Sequence, residues 1–113
     1  MKVLTGNAVD AARHTRGWLL GHFMPDGPLQ TPDVEVKWHV HAAGETRPEW
    51  APALPVRTLN VLVRGSVVLM FPGREVPLAH EGDFVLFGPD VPHSFRAVDE
   101  SLVLTVRWPS LRT

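Results

Sequence analysis

Apolar and polar positions alternate most clearly from Val34 to Ala42. Val34, Val36, Trp38 and Val40 fall on one face of an extended chain there, and Glu35, Lys37, His39 and His41 on the other. A period of two predicts a β-strand. The other apolar runs are short: Gly17 to Met24, Thr58 to Arg64, Ser66 to Phe71, Glu75 to Leu78, Phe84 to Phe87, Val91 to Val98 and Leu102 to Trp108. They are cut by 11 prolines and 9 glycines, which leave no room for a long helix. Pro25-Asp26-Gly27-Pro28, Pro72-Gly73 and His80-Glu81-Gly82-Asp83 read as turns, and Arg64-Gly65 as a tight hairpin joining the strands on either side of it. Ala43 to Pro55, rich in proline and charge, reads as a long loop. About eight short strands with frequent turns predict an all-β fold, an antiparallel sandwich or barrel, of which the double-sheet jelly roll is one solution.

Residues 5–16 carry too brief a pattern to separate a short helix from a loose arm, so the chain divides into an amino-terminal arm, 1–16, and one barrel domain, 17–113. The apolar face of Val34, Val36, Trp38 and Val40 needs cover from a second sheet or a partner subunit. Trp38 and Trp108, placed within strands, are expected in the core or at a dimer interface.

Composition narrows the function classes. A chain of 113 residues holds one core and is expected to hold one site. With 11 basic and 12 acidic residues, net charge -1, nothing invokes nucleic acid or an anionic membrane. The amino terminus lacks the apolar core of a signal peptide and no stretch is long enough to span a bilayer, so a cytoplasmic location is expected. Without cysteine, disulfides, thiolate ligands and cysteine nucleophiles are excluded, and histidine and carboxylate remain as the strong metal ligands.

Those ligands are patterned. His39 and His41, two apart on a strand, point to one face and can reach one ion. Glu45 follows closely, and His93 sits after an apolar strand and the turn Gly88-Pro89-Asp90-Val91-Pro92, placed to close a site from a facing strand. Three histidines and a carboxylate suit one divalent transition metal, Fe, Mn, Ni or Zn.

Alternation carries Thr58 and Asn60 toward the histidine face and sets Phe95 beside the ligands, with Ser94 and Arg96 pointing outward. Trp50, in the loop near Glu45, is a candidate pocket wall or lid, or a simple anchor for the loop. Glu35 and Lys37 are expected as a surface pair at the open end of their strand, because charges seldom face a dry interior unpaired. A Lys37 that entered the pocket would be a candidate for anion binding or proton transfer. His14, His22 and His80 are expected in surface or turn positions.

These residues resemble the cupins, whose first motif runs G-x5-H-x-H-x3,4-E-x6-G and second G-x5-P-x-G-x2-H-x3-N. His39, His41, Glu45 and Gly65 match the first, and Gly82 and His93 the second, with Pro92 part of the approach; the resemblance spans roughly residues 17 to 108. Asp33, Gly88, Asp90 and Ala97 depart from the motifs, and Asp90 can still adopt the left-handed conformation of the glycine it replaces. A larger departure is the nineteen residues between Glu45 and Gly65. Counting forward from His41 selects Glu45 as the carboxylate, whereas counting back from Gly65 selects Thr58. Glu49 is a further carboxylate that could return from the loop.

The resemblance implies a metal bound inside the barrel by His39, His41, Glu45 and His93. It also implies homodimers in which an amino-terminal strand, here 17–24, adds to the partner's sheet. It implies an enzyme acting on a small organic molecule by oxygenase, isomerase, lyase or cyclase chemistry, dioxygenase foremost. Alternatives are a module that binds or senses a small molecule or metal without turnover, and a metal-free pocket.

Overall fold

The computed structural model describes residues 3–111; Met1, Lys2, Arg112 and Thr113 lie outside the described residues, as do the ends of the arm and barrel boundaries set above. The chain forms one short helix, α1 (Ala8–Ala12), and eight strands: β1 (Trp18–Leu20), β2 (Glu35–His41), β3 (Arg57–Arg64), β4 (Val67–Phe71), β5 (Arg74–Leu78), β6 (Phe84–Phe87), β7 (Ser94–Ala97) and β8 (Ser101–Trp108). The strands make two antiparallel sheets, one in the order β1-β2-β8-β3-β6 and one in the order β5-β4-β7. This is the expected double-sheet jelly roll, with the sheets face to face rather than sealed into a barrel. None of the helices among the described residues is long and apolar enough to cross a membrane.

Within residues 5–16, Ala8–Ala12 form α1, capped by Asn7, whose side-chain oxygen accepts from the backbone of Val9 and Asp10. The helix packs on β1 and β2. β1 is shorter than its apolar run because Gly21, at φ +152, turns the chain and the Phe23 ring occupies the space a side chain would need. It pairs with β2 of its own chain.

Gly65 is not a hairpin turn. β3 and β4 lie in different sheets, so Gly65 is the corner where the chain crosses between them. It sits at φ +98 with the Glu100 carbonyl and Ser101 so close that a Cβ would collide. The Ser101 hydroxyl accepts from Ser66 N and fastens the corner to β8.

The dry core lies between the sheets: Leu62 of β3, Val103 of β8, Val67 and Leu69 of β4, Leu78 of β5 and Ala97 of β7. Phe71, Val76, Val85 and Phe95 pack against it. Leu62 and Val103 are direct cross-strand partners.

The face of β2 that carries the histidines is the inward one, as the resemblance implied. Val36, Trp38 and Val40 face outward and Val40 remains 49% exposed, whereas Glu35, Lys37, His39 and His41 face the other sheet. Cover for the outer face comes in part from α1, whose Val9 and Ala12 share a groove with Trp38 and Val40. The interior tolerates the polar face because that end of the sandwich is a cavity. Loop 43–55, long as expected, runs beside β7 and bonds to it through Gly44, Glu45 and Arg47, and to His93 just before it through Ala51. It covers Ser94, which is therefore buried rather than outward, its hydroxyl donating to the Arg47 carbonyl.

Candidate metal centre

Strand register builds the site in rows. On the inner face of the five-stranded sheet, Glu35, Arg107 and Thr58 lie across from one another on β2, β8 and β3; the next row holds Lys37, Thr105 and Asn60; the next His39, Val103 and Leu62. Side chains two apart share a face, so each two-residue step along β8 from Arg107 to Val103 moves from charge to hydrocarbon. His39 and His41 stand at the edge of that gradient, their rings 4.1 Å apart.

Glu45 reaches this pair from the start of the loop. Its carboxylate accepts a hydrogen bond from His41 Nδ1 and lies 3.8 Å from His39 Nε2. The donor atoms of His39, His41 and Glu45 all fall within 4.8 Å of one another. Two atoms bound to one ion at about 2.1 Å can be at most about 4.2 Å apart, so a small side-chain adjustment would let the three share an ion. A divalent transition metal fits this nitrogen and oxygen set. Thr58 lines the same cavity but lies farther along the sheet: it is paired with Arg107, four residues along β8 from Val103, the partner of His39. At strand rise that is about 13 Å along the sheet. The residues after Glu45 run as a loop toward β3, and Glu49 is exposed within it.

His93 lines the same cavity but stands outside that three-residue group. Its ring packs on Phe87, with centroids 4.6 Å apart, and its Nδ1 lies 3.4 Å from the Val91 carbonyl. The turn before it has Asp90 at φ +64, the left-handed conformation expected of the residue replacing the motif's glycine. His41 packs on Phe95 at 4.6 Å.

Burial favours the neutral form of two of the imidazoles, His39 and His93. His39 is lowered to about 4, chiefly by burial and then by the nearby Lys37 charge. His93 is lowered as well, by burial and then by Arg47 and Arg107, against the pull of the Val91 carbonyl. Burial acts most strongly on Glu45 and raises it, but the hydrogen bond and charge of His41 outweigh that and leave it below the ordinary carboxylate value. Lys37 is lowered by burial and then by Arg107.

A cavity of about 140 Å³ adjoins the histidines. Of the residues expected on its wall, Thr58, Asn60 and Phe95 line it, and Asn60 accepts a hydrogen bond from the Thr105 hydroxyl at 2.8 Å. Trp50 does not: it is 51% exposed. The next residue, Ala51, is the one that turns inward and bonds to His93.

Glu35 and Lys37 are not a surface pair. Glu35 is buried against Arg107 and the Ser110 hydroxyl, and Lys37 lines the cavity. His22, expected at the surface, joins this network through its bond to Ser110. Among the lining residues not foreseen from the sequence are Trp18, Arg47 and Arg107. The signal for Arg107 was available, since alternation places it on the face of Thr105 and Val103.

Comparison with protein-family profiles gives no match, and neither does comparison with curated proteins. Solved structures do match. A cupin superfamily protein from Desulfitobacterium hafniense superposes with a TM-score of 0.64 at 18% identity, covering 70% of this chain and 70% of that one. A conserved protein of unknown function from Streptococcus pyogenes gives 0.64 at 17% identity, covering 74% and 71%. The EutQ protein of Clostridium difficile gives 0.59 at 15% identity, covering 71% of this chain but 55% of its own. At these identities the likeness concerns backbone architecture, and it shows that this chain has the fold of a small cupin domain.

Proposed function

We propose that this chain is a divalent-metal-binding cupin whose ion is held by His39, His41, Glu45 and His93, and that it works as a metal-dependent enzyme on a small organic molecule. The observation that carries the reading is the convergence of the His39, His41 and Glu45 donor atoms to within 4.8 Å beside a cavity. His39 and His93, whose neutral forms burial favours, are ready ligands, because coordination uses the lone pair a proton would occupy. The bound ion would supply Lewis-acid polarisation or a place for oxygen. Asn60 and Thr58 would orient the substrate by hydrogen bonds, and Phe95 would pack against its carbon skeleton. At about 140 Å³ the cavity matches a benzene-sized molecule. Dioxygenase chemistry is the foremost member of the reading, with isomerase, lyase and cyclase chemistry beside it, and a cytoplasmic location belongs to the same proposal.

The test is metal content. Chain purified without a histidine tag and reconstituted with Fe, Mn, Ni or Zn is expected to retain about one equivalent after desalting. His41→Ala and Glu45→Ala should each weaken binding about 100-fold or more, and Thr58→Ala should change it little. Retention below about a tenth of an equivalent sinks the metal site. Unchanged affinity in Glu45→Ala removes that carboxylate from the ligand set. The direct bond between His41 and Glu45 also favours a second reading, a metal-free or non-catalytic binding pocket in which the pair serves as a polar clasp. That reading gains wherever the metal assay fails.

A homodimer is part of the proposal, because Val40, Phe84 and Leu86 remain 49%, 66% and 54% exposed on the outer faces of β2 and β6. Light scattering that finds a monomer at micromolar concentration contradicts it.

A further inference from the structure

The cavity beside the histidines is lined by three basic side chains, Lys37, Arg47 and Arg107, and by no aspartate or glutamate. The two nearest carboxylates are already engaged. Glu45 is held by His41 and His39, and Glu35 accepts from Ser110 and lies 2.8 Å from Arg107 Nε. That last approach is an ion pair without a directed hydrogen bond, since the buried Arg107 Nε–H has no well-placed acceptor. Among the described residues neither Lys37 nor Arg47 forms an ion pair. Trp18 gathers two of the three cations: Lys37 Nζ stands 5.2 Å from its ring centre and the Arg107 guanidinium carbon 4.9 Å. Like charges drawn together round a half-enclosed space repel, and an anion placed among them relieves all three at once.

The remaining walls are apolar, formed by Val67, Leu69, Phe95 and Val103. The geometry points to a small organic carboxylate as the molecule this cavity takes, its charged end against Arg107, Lys37 and Arg47 and its carbon skeleton against Phe95 and Leu69. The guanidinium fork matches a planar carboxylate, the hydrocarbon walls select an organic body over a bare oxyanion, and the volume limits that body to about the size of one ring. The inference rests on the reading above that this cavity is the working site; it names the substrate class and does not require the ion.

Calorimetric titration of the full chain, stripped of metal with a chelator, tests it with benzoate, its neutral isostere benzamide, and inorganic phosphate. Benzoate is expected to bind, with benzamide and phosphate each weaker by about tenfold or more. Arg47→Gln, an exposed substitution that leaves folding intact, and Lys37→Met should each weaken benzoate by about tenfold. For Arg107 the informative variant is Arg107→Gln combined with Glu35→Gln, which avoids stranding a buried carboxylate, and its loss should be the largest.

No measurable benzoate binding overturns the inference, as does benzamide binding equally well. Phosphate binding as tightly as benzoate, or unchanged benzoate affinity in both single variants, also overturns it. A chain that binds benzoate but retains no metal overturns the metal site and supports the anion pocket; one that retains metal but binds no benzoate does the reverse.

Discussion

β3 and β8 run through both ends of the sandwich, and the two ends differ. At one end Leu62 meets Val103 in a dry core with Val67, Leu69 and Leu78; a few residues away along the same strands Thr58 meets Arg107 beside an open cavity with Lys37. The pairing geometry is the same at both ends. Alternation therefore decides which side chains face inward, but what the inside is made of is decided row by row. The dry end supplies burial, and the wet end gives up burial to hold charged and polar groups in fixed places.

The largest expected effect tests the dry end. Leu62 is fully buried, so Leu62→Ala should destabilise the fold by about 3 kcal/mol, the lost transfer energy plus that of the cavity left behind. Lys37→Met at the wet end should cost nothing, or stabilise by up to about 1 kcal/mol, because it removes one charge from a cluster of three. Urea midpoints compare the two, and equal losses would erase the distinction between the ends.

A smaller effect is expected where the chain enters the wet end. Gly88, at φ +104, packs so closely on Val56 that a Cβ would come within 2.2 Å of its carbonyl oxygen. Gly88→Ala must both strain the backbone and push β3 away at the residues leading to Thr58, at about 2 kcal/mol. Melting at the wild-type temperature would show that the segment yields freely.

Acid should sharpen the contrast further. In the metal-free protein His39 takes up its proton only near pH 4, whereas in the unfolded chain it does so near 6.5. The unfolded state therefore binds more protons as pH falls. The stability that neutral His39 preserves is complete above about pH 6.5 and is lost as pH falls toward about 4. Glu45, lowered by His41, adds a loss of the same sign as pH falls below the ordinary carboxylate range. Urea midpoints should thus fall between pH 7 and 4.5, and His39→Gln should flatten the slope. Leu62→Ala should leave it unchanged, and a slope that His39→Gln does not alter would place the acid sensitivity elsewhere.

How much of this was legible in the sequence follows the same division. Strand positions, the long loop and the inward alternation of His39 with His41 are local, and period and turn residues reported them. Strand number and length pointed to an antiparallel sandwich or barrel, and the cupin resemblance singled out the jelly roll. Facts that depend on contacts between distant segments were not legible. Gly65 reads as a hairpin because a positive-φ glycine between two strands is compatible with either a turn or a corner, and only the packing of Ser101 against it distinguishes them. The outer face of β2 reads as needing a second sheet or a partner subunit for cover, and nothing local says that α1 will lie over Trp38. The choice between Glu45 and Thr58 as neighbour of the histidines depended on where the extra residues of the loop begin, and that is fixed by the bonds from Glu45 to β7 and from Ala51 to His93 just before it.

The smallest effect belongs to the loop itself. Trp50 and Ala51 are adjacent, yet Trp50 is 51% exposed and Ala51 is 6% exposed, its backbone N–H donating to the His93 carbonyl at 2.7 Å. The loop is therefore fastened through its main chain and a small inward methyl, and the large aromatic contributes little. Trp50→Ala should shift stability by no more than about 0.5 kcal/mol and leave metal uptake alone. Ala51→Pro removes the donor and should loosen the segment beside His93, costing about 1 kcal/mol or more and weakening metal retention. If Trp50→Ala proves the more damaging of the two, the aromatic rather than the backbone holds the loop, and Trp50 regains the role of lid that its position near Glu45 suggested.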